Sequence, residues 1–528
     1  MTTPTLPALT SLARAGAVGR AWDLFIAAGH AEPGTDPVAL AVKGRLLKGR
    51  ARLARGSERA ALMAEAAAAY AAANLCAPAT YLAINAASLN LLAGDRVAAA
   101  EGARGVLARL DGPEPPEDTP YFLAATRAEA LLLLGDRPGA EAAMVQAAAF
   151  DPDGWADRAA TIAQLREVAE AMGENSAWID RFAPPASLHF AGHMGLRSGG
   201  ESEMALVRAL DSWLDRSSIG FAWGALAAGA DIVIAERLLA RGIELHLVLP
   251  CPPAQFEAQS VSPAGADWVA RYRQVLDRAT SIRQAADSAT SVHDPLATLH
   301  AGELAIGGAL SNAATLASGA CQLIVTDAEG GGANTARQAR LWQAVWGQQH
   351  CLAIARDTAV EAMFPPEQLD PARILAVHLA IGLDALMAPA PMTSAAIHEL
   401  TAPVSDVLAE LPPGAVRASP GRWDAVIEDL DLALSTIARL AGHPDLAVGA
   451  HLAIAPVLHD RPSQAMVPFG PAPALAQRLM TLAPPGVTLA SDHLAAAMAV
   501  RGSGQLRSEF YHPGEETAAG AIHALIAQ

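Results

Sequence analysis

The chain has 528 residues, 52% hydrophobic and 17% charged, and its 37 Lys and Arg against 54 Asp and Glu give a formal net charge of -17. That length exceeds what one hydrophobic core organises, so roughly two to four domains are expected, and the apolar content excludes a disordered chain. The acidic balance disfavours nucleic acid, whose phosphates are held by cations that release counterions.

Cys76, Cys251, Cys321 and Cys351 lie far apart, form no CxxC pair and read as reduced thiols. The opening MTTPTLPALTSLARAG has neither the basic start nor the apolar core of a secretory signal. The most hydrophobic window, Ile374 to Met392, contains His378, Asp384 and two prolines, so no membrane span and a cytoplasmic location are expected.

From Ala8 to about Gly173, alanine and leucine recur at three- and four-residue spacings, which predicts helix after helix. Ala87 to Asp111 is echoed by Glu129 to Asp151, each with a Gly-Asp-Arg turn, Gly94-Asp95-Arg96 and Gly135-Asp136-Arg137. Glycine suits a left-handed helix stop and aspartate caps the next start. This pairing resembles the tetratricopeptide repeat, with Gly112 to Pro120 as an insertion between turns too far apart for its usual period. The resemblance implies a domain over residues 1–182 that either binds a protein partner or caps its neighbour.

After Arg181-Phe182-Ala183-Pro184-Pro185, short apolar runs alternate with helices, which predicts a Rossmann-like α/β domain with a parallel sheet over residues 183–364. Expected strands are Ser187 to Ala191, Glu244 to Leu249, Gln322 to Thr326 and Cys351 to Ala355. Expected helices are Glu203 to Leu214, Ala222 to Arg241, Ala266 to Ala279, His300 to Ser318 and Thr335 to Trp346.

Three glycine-bearing loops fall at strand carboxyl ends, where backbone N–H groups approach a phosphate. They supply the candidate ligand-binding residues: Gly192, His193, Met194 and Gly195; Gly224, Gly229 and Asp231; and Asp327 followed by Gly330, Gly331, Gly332, Asn334 and Thr335. Asn334 or Thr335 is expected to cap the helix that follows, and Asp327 to meet ribose hydroxyls. His193 can equally cap local backbone, and Asp231 can equally be a helix cap.

The span Ala183 to about Asp357, most strongly Gly224 to Pro250, resembles the SLOG superfamily of Rossmannoid domains. Its LOG-type enzymes cleave N-glycosidic bonds with a glutamate in a Pro-Gly-Gly-x-Gly-Thr-x-x-Glu loop. Laid over Gly330 to Gln338, that pattern keeps Gly331, Gly332 and Thr335 but ends on Gln338, which cannot act as a carboxylate acid or base. The resemblance implies nucleotide binding more than hydrolysis, with Asp231, Glu236 or Asp327 as the alternative catalytic carboxylates.

From about residue 371 to 528 an α+β pattern resembles a class III nucleotidyl cyclase domain. Such domains hold two metals with carboxylates in patterns like F-x-D-x-x-G-F and W-G-D. Here Leu379 and Ala425 stand at those positions, beside Gly382 and Trp423, and Asp424 is one residue out of step. His451 to Met498 follows the outline through a glycine-led helix and a Pro-Pro-Gly-x-x-x-x-Ser strand, with Arg478 kept and Ala474 in place of an asparagine.

The order tetratricopeptide-like, SLOG-like, cyclase-like resembles some bacterial signalling proteins. It implies a non-cyclising sensor or scaffold that binds a nucleotide or nucleotide-derived ligand, dimerises through a pseudo-cyclase domain, and has no catalytic residue, metal or cofactor. The alternatives are a nucleotide or NAD N-glycosidic hydrolase and a protein-interaction platform without a small ligand.

Overall fold

The computed structural model describes residues 5–14, 16–112, 118–286, 294–328, 332–357, 368–383, 393–460, 465–502, 504–511 and 521–527. The chain divides into two compact units, Met1–Pro184 with Glu509–Glu516, and Pro185–Ser508 with Thr517–Gln528.

The first unit is helical: α1 (Leu6–Arg14), α2 (Val18–Ala27), α3 (Pro37–Leu53), α4 (Gly56–Cys76), α5 (Thr80–Leu92), α6 (Arg96–Leu110), α7 (Pro120–Leu133), α8 (Arg137–Phe150) and α9 (Trp155–Met172). Gly94 and Gly135 adopt φ of +97° and +78°, closing α5 and α7. Asp95 then accepts from the Ala98 N–H and Asp136 from the Gly139 N–H, each satisfying an orphan donor of the next helix. Inside, Lys48 Nζ donates to Gln164 Oε1 at 2.8 Å and Gln164 Nε2 to Glu129 Oε1 at 3.0 Å. Burial lowers Lys48 to about 8 and raises Glu129.

In the second unit, β1 (Ala186–Gly192), β2 (Ile219–Gly224), β3 (Glu244–Leu249), β4 (Ser281–Gln284), β5 (Ala320–Thr326) and β6 (Gln349–Ala353) form one parallel sheet in the order β4-β3-β2-β1-β5-β6. The interleaved helices are α10 (Glu201–Leu214), α11 (Ala230–Leu239), α12 (Pro253–Ser260), α13 (Ala266–Arg278), α14 (Pro295–Thr315) and α15 (Ala333–Val345).

Helices α10, α11 and α13 share a core with Leu188, Phe190, Ala222 and Leu245. On the other face α14 comes so close that a Cβ on Gly308 would lie 2.7 Å from the Trp223 ring. The chain runs outward from β1 through β4, then returns to place β5 on the other side of β1. The β1/β5 boundary is therefore a topological switch point, where ligands gather in open α/β sheets.

Two expectations need correction. The helix expected from Ala222 to Arg241 begins as β2, and only Ala230–Leu239 is helical. An unexpected polar edge strand, β4, lies at Ser281–Gln284.

The remaining elements are β7 (Arg373–Leu383), α16 (Ser394–Leu408), β8 (Val416–Ser419), β9 (Arg422–Ile427), α17 (Leu430–Leu440), β10 (Leu446–Asp460), β11 (Ala465–Pro468), α18 (Pro471–Leu482), β12 (Val487–Ser491), α19 (Asp492–Arg501), β13 (Leu506–Tyr511) and β14 (Ile522–Ala527). They build a mixed sheet in the order β13-β14-β12-β10-β7-β9-β8, with β11 paired to β10.

Alternation along β7 sends Val377, Leu379 and Ile381 into a core with α16 and α17. A Cβ on Gly449 of β10 would lie 2.0 Å from the Ala476 carbonyl oxygen of α18, so only glycine lets that helix settle there. Among the described residues no helix is long and apolar enough to cross a membrane.

Candidate functional site

A cavity of about 590 Å³ opens at the carboxyl ends of β1, β2 and β3, walled by the loops that follow them, by α14 and by the start of α15. Gly192, the last residue of β1, has no room for a side chain: a Cβ would lie 2.4 Å from the Ala230 Cβ. That close approach brings the first turn of α11 under the loop, where Asp231 accepts from the Gly192 N–H at 2.9 Å and the Ala227 N–H at 3.3 Å. Asp231 is only 6% exposed, and its burial outweighs both hydrogen bonds and pushes its carboxyl up to about 7.

His193 fastens the loop to the opposite side of the sheet. Its Nδ1 lies 2.8 Å from the Met194 carbonyl oxygen and its Nε2 2.9 Å from that of Ile354, just past β6. Both partners are acceptors, so its role is to hold backbone, although the ring also lines the cavity. Thr335 does not cap α15 but donates to the Gly192 carbonyl oxygen at 3.3 Å; the cap position is Gly332, without a side-chain cap. The Asn334 Oδ1 is buried beside the cavity with no hydrogen-bond partner among the described residues.

Of the expected ligand residues, Gly192, His193, Met194, Asp231, Gly332, Asn334 and Thr335 line this cavity together. Gly330 and Gly331 lie outside the described residues. The other four serve the fold around it. Gly195 turns the chain at φ +95°, and its carbonyl accepts from the Asp357 N–H. Gly224 leaves room for Phe190, whose ring would lie 2.6 Å from an added Cβ. Gly229 takes φ +107° against the His193 carbonyl oxygen, and Asp327 pairs with Arg356 at 2.6 Å. Glu236 is held by Arg271, with oxygens 2.8 and 2.6 Å from the guanidinium, and is absent from the cavity lining.

The sequence reading missed the cations. Arg337, Arg340 and Arg356 all line the cavity, in which Asp231 is the one carboxyl among the described lining residues. The available signal was Arg337 and Arg340 spaced i, i+3 just after the glycine loop, on one face of the helix that starts there. Gln338 is buried in the wall, where a Cβ on Gly302 of α14 would lie 2.9 Å from its Cδ.

In the second sheet, Leu379 and Ala425 are cross-strand partners in the β7/β9 ladder, each 1% exposed in the apolar core. Asp424 pairs in register with Ala380 on the opposite face and accepts from Gln477 of α18 at 3.2 Å. A smaller cavity of about 130 Å³ beside it is lined by His378, Arg417, Asp424 and Gln477. Among the described residues, no three His, Cys, Asp or Glu side chains are grouped to hold a metal ion.

These features define a multidomain protein in which a helical unit accompanies a unit built on one parallel and one mixed sheet, with an arginine-lined cavity at the parallel sheet's switch point. No protein-family model matches the chain. No curated protein matches it either. Among solved structures, it is similar to the catalytic core of a rhodopsin-guanylyl cyclase with converted specificity in complex with ATPαS, at 10% identity and a TM-score of 0.24, over 29% of this chain and 97% of that one. A similarity of that size assigns neither ligand nor activity.

Proposed function

We propose that this protein is a non-cyclising sensor or scaffold whose switch-point cavity binds a nucleotide or nucleotide-derived anion, as its SLOG-like sequence implies. One observation carries the reading: Arg337, Arg340 and Arg356 and the start of α15 line a cavity of about 590 Å³ whose one carboxyl among the described lining residues, Asp231, is raised toward neutrality, while Glu303 and Asp327 outside the lining pair with Arg337 and Arg356 and leave Arg340 to the ligand. Such a wall favours negative charge, and the Asn334 oxygen, without a partner among the described residues, offers an acceptor to a ligand donor.

In this reading the second sheet is a pseudo-cyclase module, because the Leu379 and Ala425 side chains give no oxygen to a divalent ion, and dimerisation is the role its cyclase-like sequence implies. The tetratricopeptide-like helices provide the surface for a protein partner.

Calorimetric titration of the full chain with ATP, GTP, cyclic nucleotides, NAD and ADP-ribose tests the reading. Arg340 is exposed in the cavity wall, so Arg340→Glu should leave the fold intact and weaken binding about tenfold or more. No saturable binding by the wild type, or equal binding by the variant, contradicts it.

A second reading, N-glycosidic hydrolysis, is favoured by Asp231 alone: it is the one of the three candidate carboxylates that lines the cavity, and its raised pKa suits a general acid or base near neutral pH. Base release by the wild type that is abolished by Asp231→Asn would establish it. Unaltered release by the variant would exclude it.

A further inference from the structure

Helix α14 belongs to two neighbourhoods at once. Pro295, Thr298, Leu299, Gly302 and Ala305 line the cavity. His300, Glu303 and Gly307, at helical spacing, instead meet α19 at the end of the second sheet. A Cβ on Gly307 would lie 2.3 Å from the Ala496 carbonyl oxygen, so the two helices touch backbone to backbone.

Two ion pairs fix this junction. Asp294, at the start of α14, pairs with Arg373 of β7 at 3.2 Å, both side chains almost fully buried. Arg283 of β4 pairs with Asp492, the first residue of α19. Rigid sliding of α14 on the second sheet would break a buried pair, which is costly, so a signal between the two sheets needs a smaller motion.

Glu303 provides one. Its side chain is 5% exposed, and its Oε1 lies 2.8 Å from Arg337 Nη2 and 3.5 Å from Arg501 Nη2. Arg337 lines the cavity on α15, whereas Arg501 ends α19 and is absent from the cavity lining. A carboxylate this buried is costly to leave without a cation, so an arginine that leaves is most favourably replaced by the other.

We propose that Glu303 is an exchange relay: an anion in the cavity draws Arg337 off Glu303, and Arg501 closes onto the vacated carboxylate, carrying occupancy to α19 and the second sheet. The inference rests on the reading of the cavity as an anion site. It makes Arg337 the ligand's primary cation and gives Arg501, outside the cavity, a share in affinity through linkage.

The relay predicts opposite effects of two substitutions. Glu303→Gln releases Arg337 from its competing carboxylate, so ligand binding tightens about fivefold. Arg501→Ala removes the replacement cation, so taking Arg337 strands Glu303 and binding weakens about fivefold. A plain charge effect would also give opposite shifts, but it would let Arg501→Ala weaken binding in either background, whereas the relay predicts that Arg501→Ala has no effect once Glu303→Gln has removed the carboxylate it must serve.

The experiment is calorimetric titration of full-length wild type, Glu303→Gln, Arg501→Ala and the double variant with ADP and with pyrophosphate, with thermal melting of each variant as the fold control. The Arg501 side chain is 43% exposed at a helix end, so Arg501→Ala remains informative if Glu303→Gln fails to fold. Tightening in the first, weakening in the second and loss of the Arg501 effect in the double variant support the relay; an Arg501→Ala effect of equal size in both backgrounds overturns it. If the wild type binds but Arg501→Ala binds equally well or better, the relay is overturned and the site stands. If the wild type binds neither probe, both the site and the relay fall.

Discussion

Acidification from about pH 7.5 to 5.5 should destabilise the two-sheet unit, because it buries neutral histidines that an unfolded chain would protonate. His189 and His300 are 0% exposed, His378 is 1% and His451 is 5%. His300 and His493 rings lie 5.5 Å apart and His451 and His493 5.7 Å, at the α14/α19 junction, and His451 is the cross-strand partner of His378. Arg501 and Glu303 meet at that same junction, and Ser491 Oγ pairs with His451.

Burial holds His189 at about 3 and His378 at about 4, and burial with neighbouring histidines holds His300 and His451 well below the ordinary 6.5. These folded values are depressed, so below about pH 6.5 only the unfolded chain takes up protons. The stability is present above that pH and is lost as pH falls toward the folded values.

One unit below the unfolded value each histidine costs about 1.4 kcal/mol, or roughly 5.5 kcal/mol for the four. Asp231 opposes this. Its folded pKa is raised, so its destabilising effect near pH 7.5 relaxes by about 2 kcal/mol as the pH falls to 5.5. These five groups alone leave a loss of about 3.5 kcal/mol, to which His246, also held at about 4 by burial, adds; that is a large part of an ordinary domain's stability.

Urea unfolding followed by tryptophan fluorescence at the two pH values reads it. In His300→Leu the loss should shrink by about 1.4 kcal/mol. An unfolding midpoint that does not fall on acidification, or an unchanged pH dependence in His300→Leu, would refute the reasoning.

Other outcomes follow from single contacts. Gly192→Ala forces a methyl to within 2.4 Å of Ala230, so thermal melting should show a loss of about 1–3 kcal/mol together with weaker ligand binding. Asp231→Asn turns an N–H toward one of two backbone donors and should cost about 1–3 kcal/mol in denaturant titration. In the wild type, affinity for an anion should fall as pH rises through about 7 and Asp231 ionises, and calorimetry across that range should find a flat profile in Asp231→Asn.

The helical unit was legible because Gly94-Asp95 and Gly135-Asp136 encode their turns chemically, a left-handed glycine and a capping carboxylate. The parallel sheet was legible where strands are β-branched or bounded by turns, as in Gln322 to Thr326. Strand β2, IGFAWG, was lost because an apolar run leading into ALAAGADIVIAERLL suits a buried strand and a helix equally. Strand β4, SIRQ, is a short polar edge strand with no apolar alternation to betray it.

The loops identified seven of the cavity's 24 described lining residues, because glycines at strand ends mark where backbone crowds. Arg337 and Arg340 share one face of α15, a local signal that was available, but Arg356 and the α14 wall join them only through the tertiary fold, so no local pattern marked the set. The same holds for Glu303, which reads in sequence as an ordinary charge in a helix and proves to lie between two arginines from different elements.

The most direct test of the central claim is an experimental structure of the full chain with whichever nucleotide saturates it in calorimetry. The account predicts the ligand at the β1/β5 switch point, its anionic group on Arg337 and Arg340 beside the start of α15. Density instead in the smaller cavity beside His378 and Asp424, with the switch-point cavity empty, would contradict it.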